Sequence, residues 1–403
     1  MNSSTSNSRK LYLKIWLIAV FGMAAAMVLI RLFTFAMGAK GEDFISRPLE
    51  ALASLPVITA ETEEQVMVFG SSMVQAGFSA RQFDRELKQQ GINVKSYNFG
   101  FGGLNPYFQD FVSRRIKEAY QENDKRLKLA ILEFNPFQTT KTRFDRAKPA
   151  IDAYVGMLGS PQELRDILTS DLERGLLIYN IHYLRDNISA EMVTFFFGRP
   201  FRSGRPEPDV PKETAEVVKR RRELGRELSK RFKEDYPDFG DEDWSYAWQG
   251  AGTIPEERSQ ETLDVFKEYY EYQRTPYRLA GDKLWREVSA DITHLHFEEE
   301  LVLAFIRLVK EFQQFSDQVE VVLLPKNSAW IENTPAALER QARVIRRIEE
   351  ATGVTIKDYQ NLPEITPEMF SDTTHLARYS GDVAFTHFLV NTYADDIRRL
   401  LEK

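Results

Sequence analysis

Val66-Met67-Val68-Phe69-Gly70-Ser71-Ser72-Met73 opens with an unbroken apolar run and turns on a glycine and two serines. A short continuous apolar run closed by turn residues predicts a strand covered on both faces, as in a parallel sheet. The pattern then repeats. A helix is expected over Ala80–Gln90, closed by Gly91. A second strand is expected over Val94–Phe99, followed by the glycine-rich turn Gly100-Phe101-Gly102-Gly103 and a helix over Pro106–Tyr120. A third strand over Leu127–Phe134 stops at Asn135-Pro136. Strand, helix, strand, helix, strand at this spacing predicts an α/β fold, a parallel sheet with helices on both faces. Ligands of such sheets bind beyond the carboxyl ends of the strands. Ser72, Gly103 and Asn135 each follow such an end.

The pattern lapses near Thr140 and returns with a helix over Glu298–Phe315 and a strand over Val319–Leu324. A helix over Pro335–Thr352, a short strand over Val354–Asp358 and a last amphipathic helix to Leu401 complete it. The residues between, about 140–297, read as a mainly helical insertion. Within it, Gly198–Pro211 is a loop rich in proline and glycine. Lys212–Lys233 is a charged helix with a solvated face, and Tyr236–Trp248 is an aromatic, acidic stretch read as local packing.

The N-terminus predicts a membrane anchor. Leu11–Ala39 is interrupted only by Lys14 and Arg31, and Ile15–Ile30 is apolar throughout. About 20 apolar residues suffice to cross a bilayer. The basic residues Arg9, Lys10 and Lys14 precede the run, so its N-terminus is expected inside and the rest of the chain outside. Ala36-Met37-Gly38 offers small residues at signal-peptidase spacing, but the long run with Arg31 inside it favours an uncleaved anchor. Residues 1–40 are therefore read as tail and transmembrane helix. Residues 41–64, with Pro48 and Pro56, are read as a linker, and residues 65–403 as one domain carrying the insertion.

Composition narrows the function classes. The 403 residues are 43% hydrophobic and 28% charged, ample for a large core. A net charge of -7 argues against nucleic acid as a partner. The chain has no cysteine, which excludes disulfides, thiolate catalysis and cysteine-ligated metals. His294-Leu295-His296, with Asp291 and Glu298 nearby, has the look of a metal pair but lacks a second cluster, so no metal and no cofactor are expected.

The chemistry-bearing residues lie at strand ends. Ser72 follows one, where helix N–H groups can face an oxyanion. Gly103 offers a backbone N–H that no side chain obstructs, and Asn135 a side-chain amide. Asp372-Thr373-Thr374-His375 sets a carboxylate and an imidazole three residues apart, with Asp372 expected to cap a helix start. A serine, a histidine oriented by a carboxylate, and two or three N–H donors are the parts of an activated acyl-transfer site. Each part alone has an ordinary structural reading: helix caps for the serines and the aspartate, turns for Gly103 and Asn135, a surface position for the histidine.

Together these residues resemble the SGNH (GDSL-like) hydrolase superfamily. Gly70-Ser71-Ser72 is similar to its first block, Gly-Asp-Ser. Asn98-Phe99-Gly100-Phe101-Gly102-Gly103 is similar to its second, and Asp372-Thr373-Thr374-His375 to its last. Of the block Gly-x-Asn-Asp, Glu133-Phe134-Asn135-Pro136 keeps only the asparagine. The resemblance covers roughly Val66–Phe137 and Val319 onward. It implies a three-layer, flavodoxin-like sheet, a catalytic triad of Ser72, His375 and Asp372, and an oxyanion hole from Ser72, Gly103 and Asn135. With the anchor, the architecture is similar to bacterial envelope proteins of D-alanyl transfer and of alginate and cellulose acetylation. That implies a periplasmic, inner-membrane esterase or O-acyltransferase with an acyl donor, a glycan acceptor and a multi-spanning membrane acyltransferase as partner. A lipid esterase, or an inactive scaffold that binds glycan or that partner, are the alternatives.

Overall fold

The apolar runs become the middle of a sheet. In the computed structural model, residues 4–36, 43–147, 151–184, 214–235, 259–273, 293–329 and 331–402 are described. Strand β1 (Gln65–Ser71) is buried at every position, and β3 (Leu127–Glu133) at all but one. With β2 (Lys95–Phe101), β4 (Ser316–Leu323) and β5 (Ile356–Asp358) they form a five-stranded sheet in the order β2-β1-β3-β4-β5, every pairing parallel. The chain reverses its direction of travel across the sheet between β1 and β3. In doubly wound folds of this order, the crevice at that reversal is where ligands bind.

Alternate residues of the strands serve opposite faces. Val66, Val68, Leu129, Ile131 and Val322 pack with Phe83 of a helix at Ala80–Gln89 and with Phe385 and Leu389 of the last helix, Gly381–Leu401. On the other face the Phe69 ring meets Phe312 at 5.0 Å, and Tyr120 meets Phe315 at 5.3 Å. Those partners lie on the helices Pro106–Glu122 and Glu299–Phe315. Helices thus cover both faces.

The stretch read as a linker is helical instead. Asp43–Ala60 forms a helix with Pro48 and Pro56 inside it. Ala51, Leu55 and Ile58 recur at helical spacing and are fully or nearly fully buried, and this apolar stripe outweighs the two prolines. Arg47 of this helix donates from Nε to the Gly100 carbonyl at 2.6 Å and from Nη2 to the Asn98 carbonyl at 3.1 Å. It thereby occupies carbonyls of β2, an edge strand that would otherwise present open pairing groups.

The first helix spans Ser4–Ala36, and Leu13, Trp16, Ile18, Phe21, Leu29 and Leu32 are exposed on it. Among the described residues no helix is long and apolar enough to cross a membrane. The side chains at positions 27, 30, 31 and 33–36, which belong to the apolar run of the sequence, lie outside that description. Met37 and Gly38 of the cleavage reading, the loop 198–211 and the aromatic stretch 236–248 also lie outside the described residues.

The chain divides into two compact units, Met1–Ser46 with Pro149–Arg205, and Arg47–Lys148 with Pro206–Lys403. The sheet belongs entirely to the second. The ends of the insertion are pinned together there: Thr140 bridges Phe297, Lys141 N–H donates to the His296 carbonyl at 2.8 Å, and Glu298 N–H to the Thr139 carbonyl at 3.0 Å. The insertion can therefore leave and rejoin the sheet edge without displacing β3 or the helix Glu299–Phe315.

Candidate active site

Ser72 is the first residue of a six-residue helix, Ser72–Gly77, that follows β1 directly. Three contacts fix this short helix. Ser71 caps it, its Oγ accepting from Met73 N–H at 3.2 Å. Asn98 of β2 donates to the Val74 and Phe78 carbonyls at 3.1 and 2.7 Å, tying the end of the helix to the sheet. Gly100 lets the helix lie against β2: a Cβ there would stand 2.1 Å from Gln75 N.

From this position Ser72 reaches His375. Its Oγ lies 2.7 Å from His375 Nε2, and His375 Nδ1 lies 2.8 Å from Asp372 Oδ2. The other carboxylate oxygen, Asp372 Oδ1, accepts from the backbone N–H groups of Thr374 and His375, both at 2.8 Å. Burial alone would raise the Asp372 pKa. The hydrogen bond from His375, its charge and the two backbone donors outweigh that, and hold the carboxyl below its usual range. An ionised Asp372 keeps the proton of the neutral imidazole on Nδ1, which leaves Nε2 free to accept from the Ser72 hydroxyl.

Asp372 does not cap a helix, as the sequence led one to expect. The last helix begins only at Gly381, and Asp372–His375 is a turn closed by the aspartate's own side chain. Asn327, just past β4, donates to the Asp372 carbonyl at 3.3 Å and braces this turn. Four residues beyond His375, the chain meets the insertion. Tyr379 stacks on Tyr270 at 5.4 Å and on Phe266 at 6.3 Å, and both partners lie on the insertion helix Gln260–Gln273.

The expected oxyanion donors divide. Ser72 N–H, at the first helical position, has no acceptor within its helix. Gly103 lies two residues past β2 at φ +74°, a conformation suited to glycine. Gly100, expected in the turn, is instead the sixth residue of β2. The Asn135 amide is engaged with the protein: it donates to Glu133 Oε1 at 2.8 Å, and it lies 3.2 Å from Ser71 Oγ and 3.4 Å from Met73 Sδ. The carboxylate two residues before it is the stronger acceptor and holds that amide inward.

Glu133 is the residue to which sequence reasoning assigned no role. Its carboxyl is buried at the end of β3, accepting from Ser71 N–H at 2.5 Å and Ser71 Oγ at 2.9 Å besides Asn135. Burial raises its pKa, and those hydrogen bonds and the charge of His375 offset this only in part. A charged residue closing an apolar strand beside the Ser72 turn was the available signal.

A small recess of about 50 Å³ adjoins the relay. Met73 and Thr374, the chain neighbours of Ser72 and His375, line it, as do Asn135, Lys326, Gln341 and Gln360. Among the described residues no group of three or more acidic or histidine side chains is placed to hold a metal ion.

The chain matches no protein-family model and none of the curated proteins.

Proposed function

We propose that this chain is a serine acyl-ester enzyme of SGNH type, anchored in the bacterial inner membrane with its catalytic domain on the periplasmic side. It acts as an O-acyltransferase or esterase on a cell-envelope or exported polysaccharide. The observation that carries this reading is the unbroken relay from Ser72 Oγ through His375 to Asp372, with contacts of 2.7 and 2.8 Å.

In this mechanism the Ser72 oxygen attacks the acyl carbonyl carbon while its proton passes to His375 Nε2. Asp372 stabilises the imidazolium so formed. The oxyanion of the tetrahedral intermediate is held by the N–H groups of Ser72 and Gly103. Collapse expels the donor's oxygen, which takes the proton from His375, and leaves the acyl group on Ser72. A glycan hydroxyl or water then gives its proton to His375 and attacks the acyl carbon, and the departing Ser72 oxygen takes that proton back from His375. Asn135 joins the oxyanion hole only if its amide leaves the Glu133 carboxylate.

The wall of the adjoining recess is mostly apolar, from Met73, Phe134, Phe137, Leu295, Leu324 and Ile331, with Lys326, Gln341 and Gln360 as polar exceptions, so a lipid acceptor stands as the second reading beside a glycan. The apolar run Ile15–Ile30 supports the anchor, and the anchor supports work beside a multi-spanning membrane acyltransferase. The test is reaction of the purified protein with a fluorophosphonate probe and with p-nitrophenyl acetate, beside Ser72→Ala and His375→Ala. Labelling and turnover in the wild type, lost in both variants, are expected. Labelling that survives in Ser72→Ala would refute the assignment of the nucleophile.

A further inference from the structure

The turn that carries His375 is held from two sides. On the first side, Asp372 closes it and Asn327 braces it. Its ends also pair: Phe370 bridges Leu376, Ser371 N–H donates to the His375 carbonyl at 2.8 Å, and Ala377 N–H donates to the Met369 carbonyl at 2.8 Å. On the second side stands the insertion. Ala377 is fully buried in a small apolar cluster with Leu228, Phe266 and Tyr270, all three on insertion helices.

The insertion is built to present that cluster. Thr262, Phe266 and Tyr270 recur every fourth residue and are buried, so they form one stripe of the helix Gln260–Gln273. The helix Ala215–Asp235 buries Leu224 and Leu228 at the same spacing, and Arg220 ties the two helices together by donating twice to the Glu268 carboxylate at 2.8 Å. Tyr270 makes the contact with the turn. Its ring stacks on Tyr379 at 5.4 Å with 22° between the planes, and its hydroxyl accepts from Arg378 N–H at 3.4 Å. Burial pushes the Tyr270 phenol up to about 12, so it stays neutral at any pH near 7. A tyrosine has only two side-chain torsions to fix, so it holds what it touches at small entropic cost.

We propose that Tyr270 is a positioning residue: through Tyr379 and the Arg378 backbone it sets the place from which His375 Nε2 meets Ser72 Oγ. The insertion thereby bears on the relay, although it lies outside the segments that resemble a known family. The effect on rate rests on the serine-enzyme reading, whereas the effect on the turn does not.

The test uses the full chain in detergent and compares wild type with Tyr270→Phe, Tyr270→Leu and Tyr379→Leu, each also combined with His375→Ala. The leucines keep the cluster apolar and remove the stack. A misplacement of about 1 Å can cost about 10²-fold in rate, so both leucine variants should lower kcat for p-nitrophenyl acetate by about 10- to 100-fold with KM nearly unchanged. Tyr270→Phe, which keeps the stack, should retain most of the rate. With His375→Ala the same leucines should change the residual rate by less than about twofold, because a strut acts only through the group it holds. Hydrogen exchange is read on the same preparations. In the leucine variants the amides of Ser371, His375 and Ala377 should exchange faster than in wild type, while those of β3 should not. A global loss of fold shows in β3, and Tyr379→Leu, at a partly buried position, then decides. Unchanged exchange in the turn, an unchanged kcat, or an equal loss of rate with His375→Ala overturns the proposal. If wild type shows no Ser72-dependent turnover while exchange in the turn still rises in the leucine variants, Tyr270 stands as the strut of the turn and the enzyme reading falls.

Discussion

Ser72 Oγ and His375 Nε2 stand 2.7 Å apart although 303 positions of sequence separate them. The sheet order brings this about. β1 lies inside the sheet, between β2 and β3, so its carboxyl end faces the crevice at the reversal of the chain. The last helix packs on the same face as the helix Ala80–Gln89, which carries the turn before it to that crevice.

Asp372→Asn tests the relay without disturbing its shape. The remaining carbonyl oxygen can still accept from Thr374 and His375 N–H, but the amide nitrogen then faces His375 Nδ1. That forces the proton onto Nε2, where the imidazole can no longer accept from Ser72. We expect kcat for p-nitrophenyl acetate to fall by about 10³- to 10⁴-fold, with the melting temperature nearly unchanged. A loss of less than tenfold would show that Asp372 does not set the tautomer.

Glu133 links stability to pH. Its folded pKa is raised above the usual 4.5, so the folded state binds this proton more tightly than the unfolded state does. The stabilisation is complete below pH 4.5 and is lost as pH rises through the folded value. Glu133→Gln cannot ionise. Melting curves from pH 4.5 towards neutrality should therefore show wild type losing stability relative to this variant, whereas parallel curves would contradict the assignment. Glu133→Ala, which strands Ser71 N–H and the Asn135 amide, should cost about 3 kcal/mol in denaturant melts.

Two glycines near Ser72 should respond differently. In Gly100→Ala the new methyl meets Gln75 backbone nitrogen at 2.1 Å, so the helix bearing Ser72 must shift. A stability loss of about 3 kcal/mol and a marked fall in serine labelling are expected. Gly103→Ala carries the cost of φ +74°, about 1 kcal/mol, and should still be labelled. Chemical denaturation and probe labelling of the two variants measure both effects.

Removal of residues 1–40 tests the anchor separately from the site. The helix that begins at Asp43 and carries Arg47 onto β2 is left whole. The truncated protein should move from the membrane to the soluble fraction and should still label at Ser72. Retention in the membrane after alkaline washing would place the attachment elsewhere in the chain.

Much of this was legible in the sequence, because it depends on near neighbours. The apolar runs at Val66–Phe69, Leu129–Leu132 and Val321–Leu324 mark strands, since a strand covered on both faces is apolar at successive steps. Gly91 and Asn135-Pro136 stop the elements they follow, and the residues just past the strand ends named Ser72, Gly103 and Asn135 as one edge. The spacing Asp372–His375 was readable for the same reason, since a three-residue separation is short enough for one side chain to hold both backbone and ring.

What depends on distant partners was not legible. The prolines of 43–60 signal a break, and only the burial of Ala51, Leu55 and Ile58 against the rest of the fold shows why the helix survives them. Asn135 carries the same amide in either setting. Its direction is decided by the Glu133 carboxylate, buried between Ser71 and Asn135. The sequence by itself thus determined the elements, their order and the residue types at the strand ends, because periodicity and turn chemistry are local. Tertiary structure alone decided which strands are neighbours and which hydrogen bonds those residues make. Burial and partner choice are set by contacts between segments far apart in the chain.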